Sequence, residues 1–124
     1  MRPLVVVDAA NVVGSVPDGW WRDRAGATRR LRDLLAPIAT EGLPDIPPPV
    51  EVVLVVEGAA REVSSAADVR VIAAPGSGDE AIVEAVRGEG AGRTCVVVTA
   101  DRALRDRVSV LGATVLGPRV LPYR

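Results

Sequence analysis

Short apolar runs recur along the chain, and the first of them ends at an acid. Residues 4–7, Leu-Val-Val-Val, are followed directly by Asp8, and Asn11 stands three positions later. A continuous apolar run with such abrupt ends is typical of a strand that is buried on both faces. Comparable runs predict four further strands, at residues 50–56, 69–72, 95–98 and 113–116.

Amphipathic stretches between these runs predict helices at residues 22–40, 79–87 and 102–111. Pro37 is expected to end or kink the first helix near its last turn. Gly112 fits the C-cap of the last helix, because helices often end with a left-handed glycine. The other segments predict a loop at residues 12–19, an extended connector at 42–49, a weak helix at 59–67 and a tail at 117–124.

The alternation of strands and helices indicates the fold class. Apolar strands separated by helices are typical of an α/β domain with a mostly parallel sheet and right-handed crossovers. The 124 residues suffice for one ordinary domain and are too few for two. We therefore expect residues 1–124 to form a single α/β domain.

Acids stand at the same place in four successive strand–helix units. Asp8 ends the first strand and Glu57 the second, Asp79 opens the helix after the third, and Asp101 follows the fourth. In a parallel sheet the carboxyl ends of the strands lie along one edge, where open α/β sheets bind ligands. We therefore expect these four acids to lie along that edge.

Such a group of carboxylates would favour a hard cation. Mutual repulsion between carboxylates is unfavourable in a partly desolvated cleft, and a divalent cation removes it. The chain has no His and one Cys, so oxygen ligands remain, which select Mg²⁺ or Mn²⁺. Asp8, Asp79 and Asp101 are the predicted metal ligands, with Glu57 as a further candidate. This chemistry suits hydrolysis of a phosphodiester by an activated water, which Asn11 would help to position.

All of these residues except Asp8 also have an ordinary structural explanation, whereas a buried carboxylate at a strand end is more typical of a functional site. Asn11 is a common turn residue, and Asp79 and Asp101 suit helix starts, where acids cap and complement the dipole. Glu57 could equally be a solvated loop acid. Glu80 has the spacing of a capping box with Ser77.

Composition adds little about the partner. The net charge is −1, which excludes a globally basic nucleic-acid binder. All fifteen basic residues are Arg, whose planar fork suits phosphate oxygens, although a GC-biased genome explains the same bias. No apolar run reaches the roughly 18–20 residues of a membrane span. Residues 1–13 are not expected to be a secretory signal, because their apolar run is four residues long and is followed by Asp8. We expect a cytoplasmic protein without membrane contact.

Taken together, the motifs resemble those of the NYN branch of the PIN-like nucleases. The resemblance rests on the stretch VVVDAANV at 5–12, PDGWW at 17–21, GDE at 78–80 and VTADRAL at 98–104. It implies a three-layer fold around a five-stranded, mostly parallel sheet of order 3-2-1-4-5, and metal-dependent ribonuclease chemistry. The family's acidic and amide positions fall on Asp8, Asn11, Asp79, Glu80 and Asp101. Only this resemblance adds Glu80 to the candidate metal ligands. Where the family often has a second Asp the chain has Glu80, and Arg105 stands where some members carry a further acid.

The sequence thus predicts a Mg²⁺- or Mn²⁺-dependent endoribonuclease whose partner is RNA. The candidates for contacting the substrate, besides Asn11, are Trp20, Arg93, Thr99 and Arg102. A non-catalytic RNA-binding module is the main alternative. A haloacid-dehalogenase-like phosphatase fits less well, because position 10 is Ala where that chemistry needs an acid. A Rossmann-type domain lacks its glycine pattern. The sequence leaves a homodimer open and names no protein partner.

Overall fold

Five strands and four α-helices follow one another in a computed structural model that describes residues 1–124. The strands are β1 (Leu4–Asp8), β2 (Glu51–Val56), β3 (Val69–Ala73), β4 (Cys95–Val98) and β5 (Thr114–Leu116). The helices are α1 (Ala9–Gly14), α2 (Arg24–Glu41), α3 (Gly78–Glu89) and α4 (Arg102–Val110). The predicted strands and the three predicted long helices are therefore present, with small shifts of their ends.

All five strands pair in parallel in the order β3-β2-β1-β4-β5. This confirms the predicted fold class and strand order. β1 is the central strand, and Val6 lies level with Val53 of β2 and Val97 of β4. The carboxyl end of β1 is therefore flanked by the ends of both neighbouring strands.

Helices cover both faces of the sheet and create two cores. Val5 and Val7 of β1 face the core beneath α1 and α2, whereas Leu4 and Val6 face the core beneath α3 and α4. Full burial of such a side chain contributes about 1.5–3 kcal/mol. A one-residue slip of β1 would exchange the two sets and draw Asp8 inward. Two-sided burial therefore fixes the register that leaves Asp8 at the edge.

Two local expectations were wrong. Residues 9–14 form α1 where the sequence favoured a loop from residue 12, because Val12 and Val13 are buried against the core and packing outweighs weak helical propensity. Residues 59–67 form no α-helix, and only a short 3-10 turn, Gly58–Ala60, is present there.

The helix ends show how proline and glycine act. α2 continues through Pro37 to Glu41. The backbone carbonyl of Asp33, which Pro37 cannot bond, belongs to an exposed residue and can be hydrated. α4 ends as predicted, since Gly112 adopts a φ of +92°. The N–H groups of Gly112 and Ala113 donate to Ser109 and Val108 at 3.0 and 3.1 Å, which completes a Schellman motif.

None of the helices combines the length and apolar character that crossing a membrane would need.

Candidate active site

Asp8 occupies the junction between β1 and α1. It is the last residue of β1 and the N-cap of α1, where its Oδ1 lies 3.4 Å from the backbone nitrogen of Asn11. Its Oδ2 accepts a hydrogen bond of 2.9 Å from the hydroxyl of Thr99. The residue is only 6% exposed. The fold therefore buries this carboxylate and holds it in one orientation.

The surroundings of Asp8 oppose its ionisation. The pKa of Asp8 is raised from 3.8 to about 6. Burial is the main cause, hydrogen bonds from Thr99 and Asn11 oppose it, and the nearby charges of Asp79 and Glu57 add to it. No arginine forms a salt bridge with this carboxylate. At neutral pH the buried charge of Asp8 is therefore largely uncompensated within the chain, which is typical of functional sites.

The loop after β4 is tied to the same junction. The side-chain oxygen of Asn11 accepts a hydrogen bond of 2.8 Å from the Ala100 N–H. The Asp101 N–H donates to the Thr99 hydroxyl oxygen at 3.1 Å. Thr99 therefore orients Asp8 and the loop together, and the amide nitrogen of Asn11 remains available as a donor.

Asp8, Glu57, Asp79 and Asp101 lie at or after the carboxyl ends of the strands, and we call this group the acidic edge. Asp101 and Glu57 each also accept a hydrogen bond from the N-terminus of a helix. One oxygen of Asp101 accepts a 3.0 Å hydrogen bond from Leu104 and so caps α4. One oxygen of Glu57 accepts a 2.8 Å hydrogen bond from the N–H of Gly78 at the start of α3. A Cβ on Gly78 would lie 3.2 Å from the Glu57 carboxyl carbon, so a larger residue would require the Glu57 side chain to shift slightly. In both acids the second oxygen is left for another partner.

Asp79 lies in the first turn of α3 and faces mostly like charges. Partial burial raises the pKa of Asp79, as do the charges of Asp101, Glu57 and Glu80, while Arg107 lowers it. Its carboxylate forms no hydrogen bond within the chain. Asp79 is thus the carboxylate of the acidic edge that makes the fewest hydrogen bonds within the chain.

Glu80 is engaged elsewhere. Its carboxylate forms a salt bridge of 2.8 Å with Arg107 of α4 at the surface, and Arg107 lowers the pKa of Glu80. The Ser77 hydroxyl oxygen accepts from the Glu80 N–H at 3.3 Å, as expected for a capping box, but the reciprocal bond is absent. Although Glu80 directly follows Asp79, its carboxylate therefore points to Arg107 and does not join the acidic edge.

Two predicted substrate contacts are placed very differently. Arg93 precedes β4 at the opposite edge of the sheet, where it bonds the Arg2 carbonyl at 2.8 Å and pairs with Glu51 at 3.1 Å. Arg93 therefore lies away from the acidic edge, since a residue before a strand lies at the amino end, and its contact with substrate stays a prediction. Arg102 directly follows Asp101, is exposed and forms no salt bridge.

Two recesses flank the acidic edge. Of the residues that line them, the sequence predicts only Trp20 as a substrate contact and Glu57 as a candidate metal ligand. A cavity of about 370 Å³ contains Trp20 together with Arg24, Thr28, Glu57, Gly58 and Gly76. A shallower cleft of about 690 Å³ on the other flank is lined by Ser15, Ala100, Arg119, Tyr123 and Arg124. Apart from the arginine-rich start of α2, the chain carries no spacing signal for these recesses, because they join segments far apart in sequence.

The oxygen donors at the acidic edge suit a hard divalent cation, but the carboxylates do not stand close enough together to form a complete ligand group. No three His, Cys, Asp or Glu side chains stand as a group ready to hold a metal ion. Mg²⁺, however, is usually bound by one or two carboxylates and keeps several waters. The donors at this edge are all oxygens, and Asp8 and Asp79 repel one another. The residues therefore fit an ion held by one or two carboxylates, and a metal site with three ligands stays a prediction.

The chain matches no protein-family model and no curated protein. Among solved structures it is similar to the crystal structure of Rae1 (YacP) from Bacillus subtilis, with a TM-score of 0.68 and 17% sequence identity. The similarity covers 94% of this chain and 70% of that chain. At this identity the likeness shows the fold, so the sheet and its flanking helices are shared with Rae1.

Proposed function

We propose that the chain is a ribonuclease that uses Mg²⁺ or Mn²⁺ to hydrolyse RNA phosphodiester bonds at the carboxyl edge of the sheet. One observation carries the proposal. Asp8 is buried at the centre of this edge, its pKa is raised to about 6, and Asp79 and Glu57 add like charge around it. Carboxylates that are buried close together repel one another and destabilise the fold. A bound cation would remove this repulsion.

The choice of RNA as substrate rests on other support. The order of the motifs around Asp8, Asn11, Asp79 and Asp101 resembles that of the NYN branch of the PIN-like nucleases. The fold shared with Rae1 is consistent with this resemblance. The flanking recesses contribute Trp20 on one side and Arg119 on the other, side chains that suit bases and phosphates.

Each residue of the edge has a role in this proposal. Asp8 and Asp79 would hold the ion, with Asp101 as the predicted third ligand, and the ion when bound would supply polarisation of a phosphate oxygen and activation of the attacking water. The Asn11 amide nitrogen donates a hydrogen bond to the phosphate or the water, since its oxygen is occupied by Ala100. Thr99 keeps Asp8 oriented. Arg102 contacts the RNA backbone.

The direct test is cleavage of labelled single-stranded RNA with Mn²⁺ or Mg²⁺, comparing the wild type with Asp8→Asn. We expect the variant to lose at least about 100-fold in activity, since removing one charge-stabilising group commonly has that effect. Glu51→Gln, which lies at the other edge, is the control for a general effect of removing an acid. Equal activity of wild type and Asp8→Asn would remove the assignment.

A circular RNA of the same sequence tests the cleavage mode. An endoribonuclease linearises the circle, whereas an enzyme that needs an end leaves it intact. We expect linear product from the wild type and none from Asp8→Asn. An intact circle together with a degraded linear substrate would contradict internal cleavage.

A non-catalytic RNA-binding module is the second candidate. The absence of a ready group of three carboxylates favours it, as does the cleft that carries Arg119 and Arg124. RNA binding without turnover across a titration of Mg²⁺ and Mn²⁺ would support this alternative over the nuclease.

A further inference from the structure

The cavity beside the acidic edge is built from small residues on the side of the carboxylates. Ala9 and Ala10 directly follow Asp8, and Gly58 and Gly76 belong to the loops after β2 and β3. At about 370 Å³, the cavity falls at the lower end of the range for small-molecule sites. Small walls leave a space that admits a flat ring close to the cleavage edge.

Trp20 forms the aromatic wall of this cavity, and two neighbours hold its ring. Trp21 meets Trp20 edge to face, with ring centroids 5.9 Å apart and planes at 86°. The Arg24 guanidinium lies 5.3 Å from the Trp20 ring centroid. Trp20 is half-buried although it belongs to a short 3-10 turn. A held, half-buried indole is the kind of surface on which nucleic-acid bases stack.

The polar groups of the cavity favour a neutral ring over a phosphate. Arg24 forms no salt bridge, so its guanidinium donors are free to meet ring carbonyls or nitrogens. Glu57 uses one carboxylate oxygen for the Gly78 N–H, and its other oxygen is open to a ring N–H. A phosphate in this space would be repelled by Glu57, whereas a base offers both donors and acceptors.

We propose that this cavity binds one base of a single-stranded RNA, stacked on Trp20, next to the phosphodiester that the acidic edge cleaves. The position relative to cleavage rests on the proposed ribonuclease function. Base binding itself needs neither metal nor turnover. Trp20 and Arg24 would therefore set how the RNA is seated, and Asp8 would not be required for it.

Trp20 can report its own occupancy, since the chain has two tryptophans. In a Trp21→Phe background, Trp20 fluorescence is recorded in EDTA while adenosine, guanosine, cytidine, uridine or ribose 5-phosphate is added. We expect at least one nucleoside to quench the fluorescence saturably and ribose 5-phosphate to have no effect. Absence of saturable quenching by every nucleoside overturns the proposal.

Substitutions at the cavity wall provide a further test. A Cβ on Gly76 meets no atom within 4 Å and needs no strained φ, so Gly76→Leu adds bulk beside the cavity without a clash. Because Gly76 also borders a second recess, Arg24→Met, which removes the guanidinium that lines the cavity, is tested beside it. Gly88→Leu, at an exposed position of α3, meets no atom either and lies away from the cavity. We expect Gly76→Leu and Arg24→Met to weaken nucleoside quenching and Gly88→Leu to retain it. Unchanged quenching in both Gly76→Leu and Arg24→Met overturns the proposal, because the nucleoside then binds elsewhere.

Cleavage kinetics separate this proposal from the ribonuclease assignment. Trp20→Leu is expected to raise KM for RNA by roughly tenfold, the size of one lost base stack, with little change in kcat. Nucleoside quenching without RNA cleavage under any divalent metal would support the base site and remove the ribonuclease. RNA cleavage without nucleoside quenching would do the reverse.

Discussion

The two edges of the sheet treat charge in opposite ways. At the amino edge, Glu51 pairs with Arg93 at 3.1 Å and with Arg70 at 3.3 Å, and Arg70 also pairs with Glu89. At the carboxyl edge, Asp8 has no salt bridge, and the charges that act on it are those of other acids. The chain therefore has arginines to pair its acids, but none of them forms a salt bridge with Asp8 or Asp79.

The pKa values follow this division. Burial of Glu51 opposes its ionisation, but hydrogen bonds from Arg93 and Arg70 outweigh burial and lower the pKa of Glu51. Burial of Asp8 is not outweighed, and the pKa of Asp8 rises to about 6. The amino edge thus gains stability from ionised acids, whereas the carboxyl edge loses stability when its acids ionise. Proteins commonly accept such a loss at functional sites.

The largest stability effect is expected from Asp8→Asn in metal-free buffer. The difference between the ordinary pKa of 3.8 and about 6 corresponds to about 3 kcal/mol by which the ionised carboxylate destabilises the fold at pH 7. Asparagine removes that charge and keeps an acceptor for Thr99. We expect the free energy of unfolding in urea to rise by up to about 3 kcal/mol.

The pH dependence provides the sign test for Asp8. A carboxyl group whose pKa is raised in the folded state destabilises the fold above pH 6, progressively less between pH 6 and 3.8, and not below. The advantage of Asp8→Asn over the wild type should therefore shrink as pH falls from 6 to 3.8. An advantage that stays constant with pH, or a less stable variant at pH 7, would contradict the picture of an uncompensated Asp8.

Asp79→Asn should have the next largest effect, and on activity. Its carboxylate makes no hydrogen bond within the chain and faces Asp101 and Glu57, so the fold gives it little other use. We expect kcat/KM for RNA to fall by about 10–100-fold, with stability in metal-free buffer unchanged or higher. Full activity in a folded variant would place the ion away from α3.

At the amino edge, Glu51→Gln should be destabilising without affecting RNA cleavage. The variant leaves the buried Arg93 guanidinium without a charged partner, which costs about 1–2 kcal/mol. Because the pKa of Glu51 is lowered in the folded state, its contribution is present at neutral pH and is lost as pH falls below its ordinary pKa of 4.5. Urea unfolding at pH 7 and at acidic pH should show the deficit shrinking towards acid.

The strand pattern predicted this edge because the relevant signals are local. An acid directly follows the first two apolar runs, and Asp101 stands three residues after the fourth. Parallel pairing then places Asp8, Glu57 and Asp101 at the same end of the sheet. The placement of Arg93 could have been predicted too, since a residue before a strand belongs at the amino edge. Other features depend on contacts between distant segments. The Trp20 cavity joins α1, α2 and two loops, and no spacing along the chain encodes it.

Glu80→Gln should have the smallest effect, and it completes the comparison. Glu80 is exposed and paired with Arg107, so it resembles the acids of the amino edge although it neighbours Asp79. Exposed pairs of this kind contribute little to stability, and we expect kcat/KM to change by less than about threefold. A loss as large as that of Asp79→Asn would mean that Glu80 leaves Arg107 and joins the metal ligands. In that case Arg107→Met should raise kcat/KM, because Glu80 no longer pairs with Arg107. If the pair acts only at the surface, neither substitution should change kcat/KM.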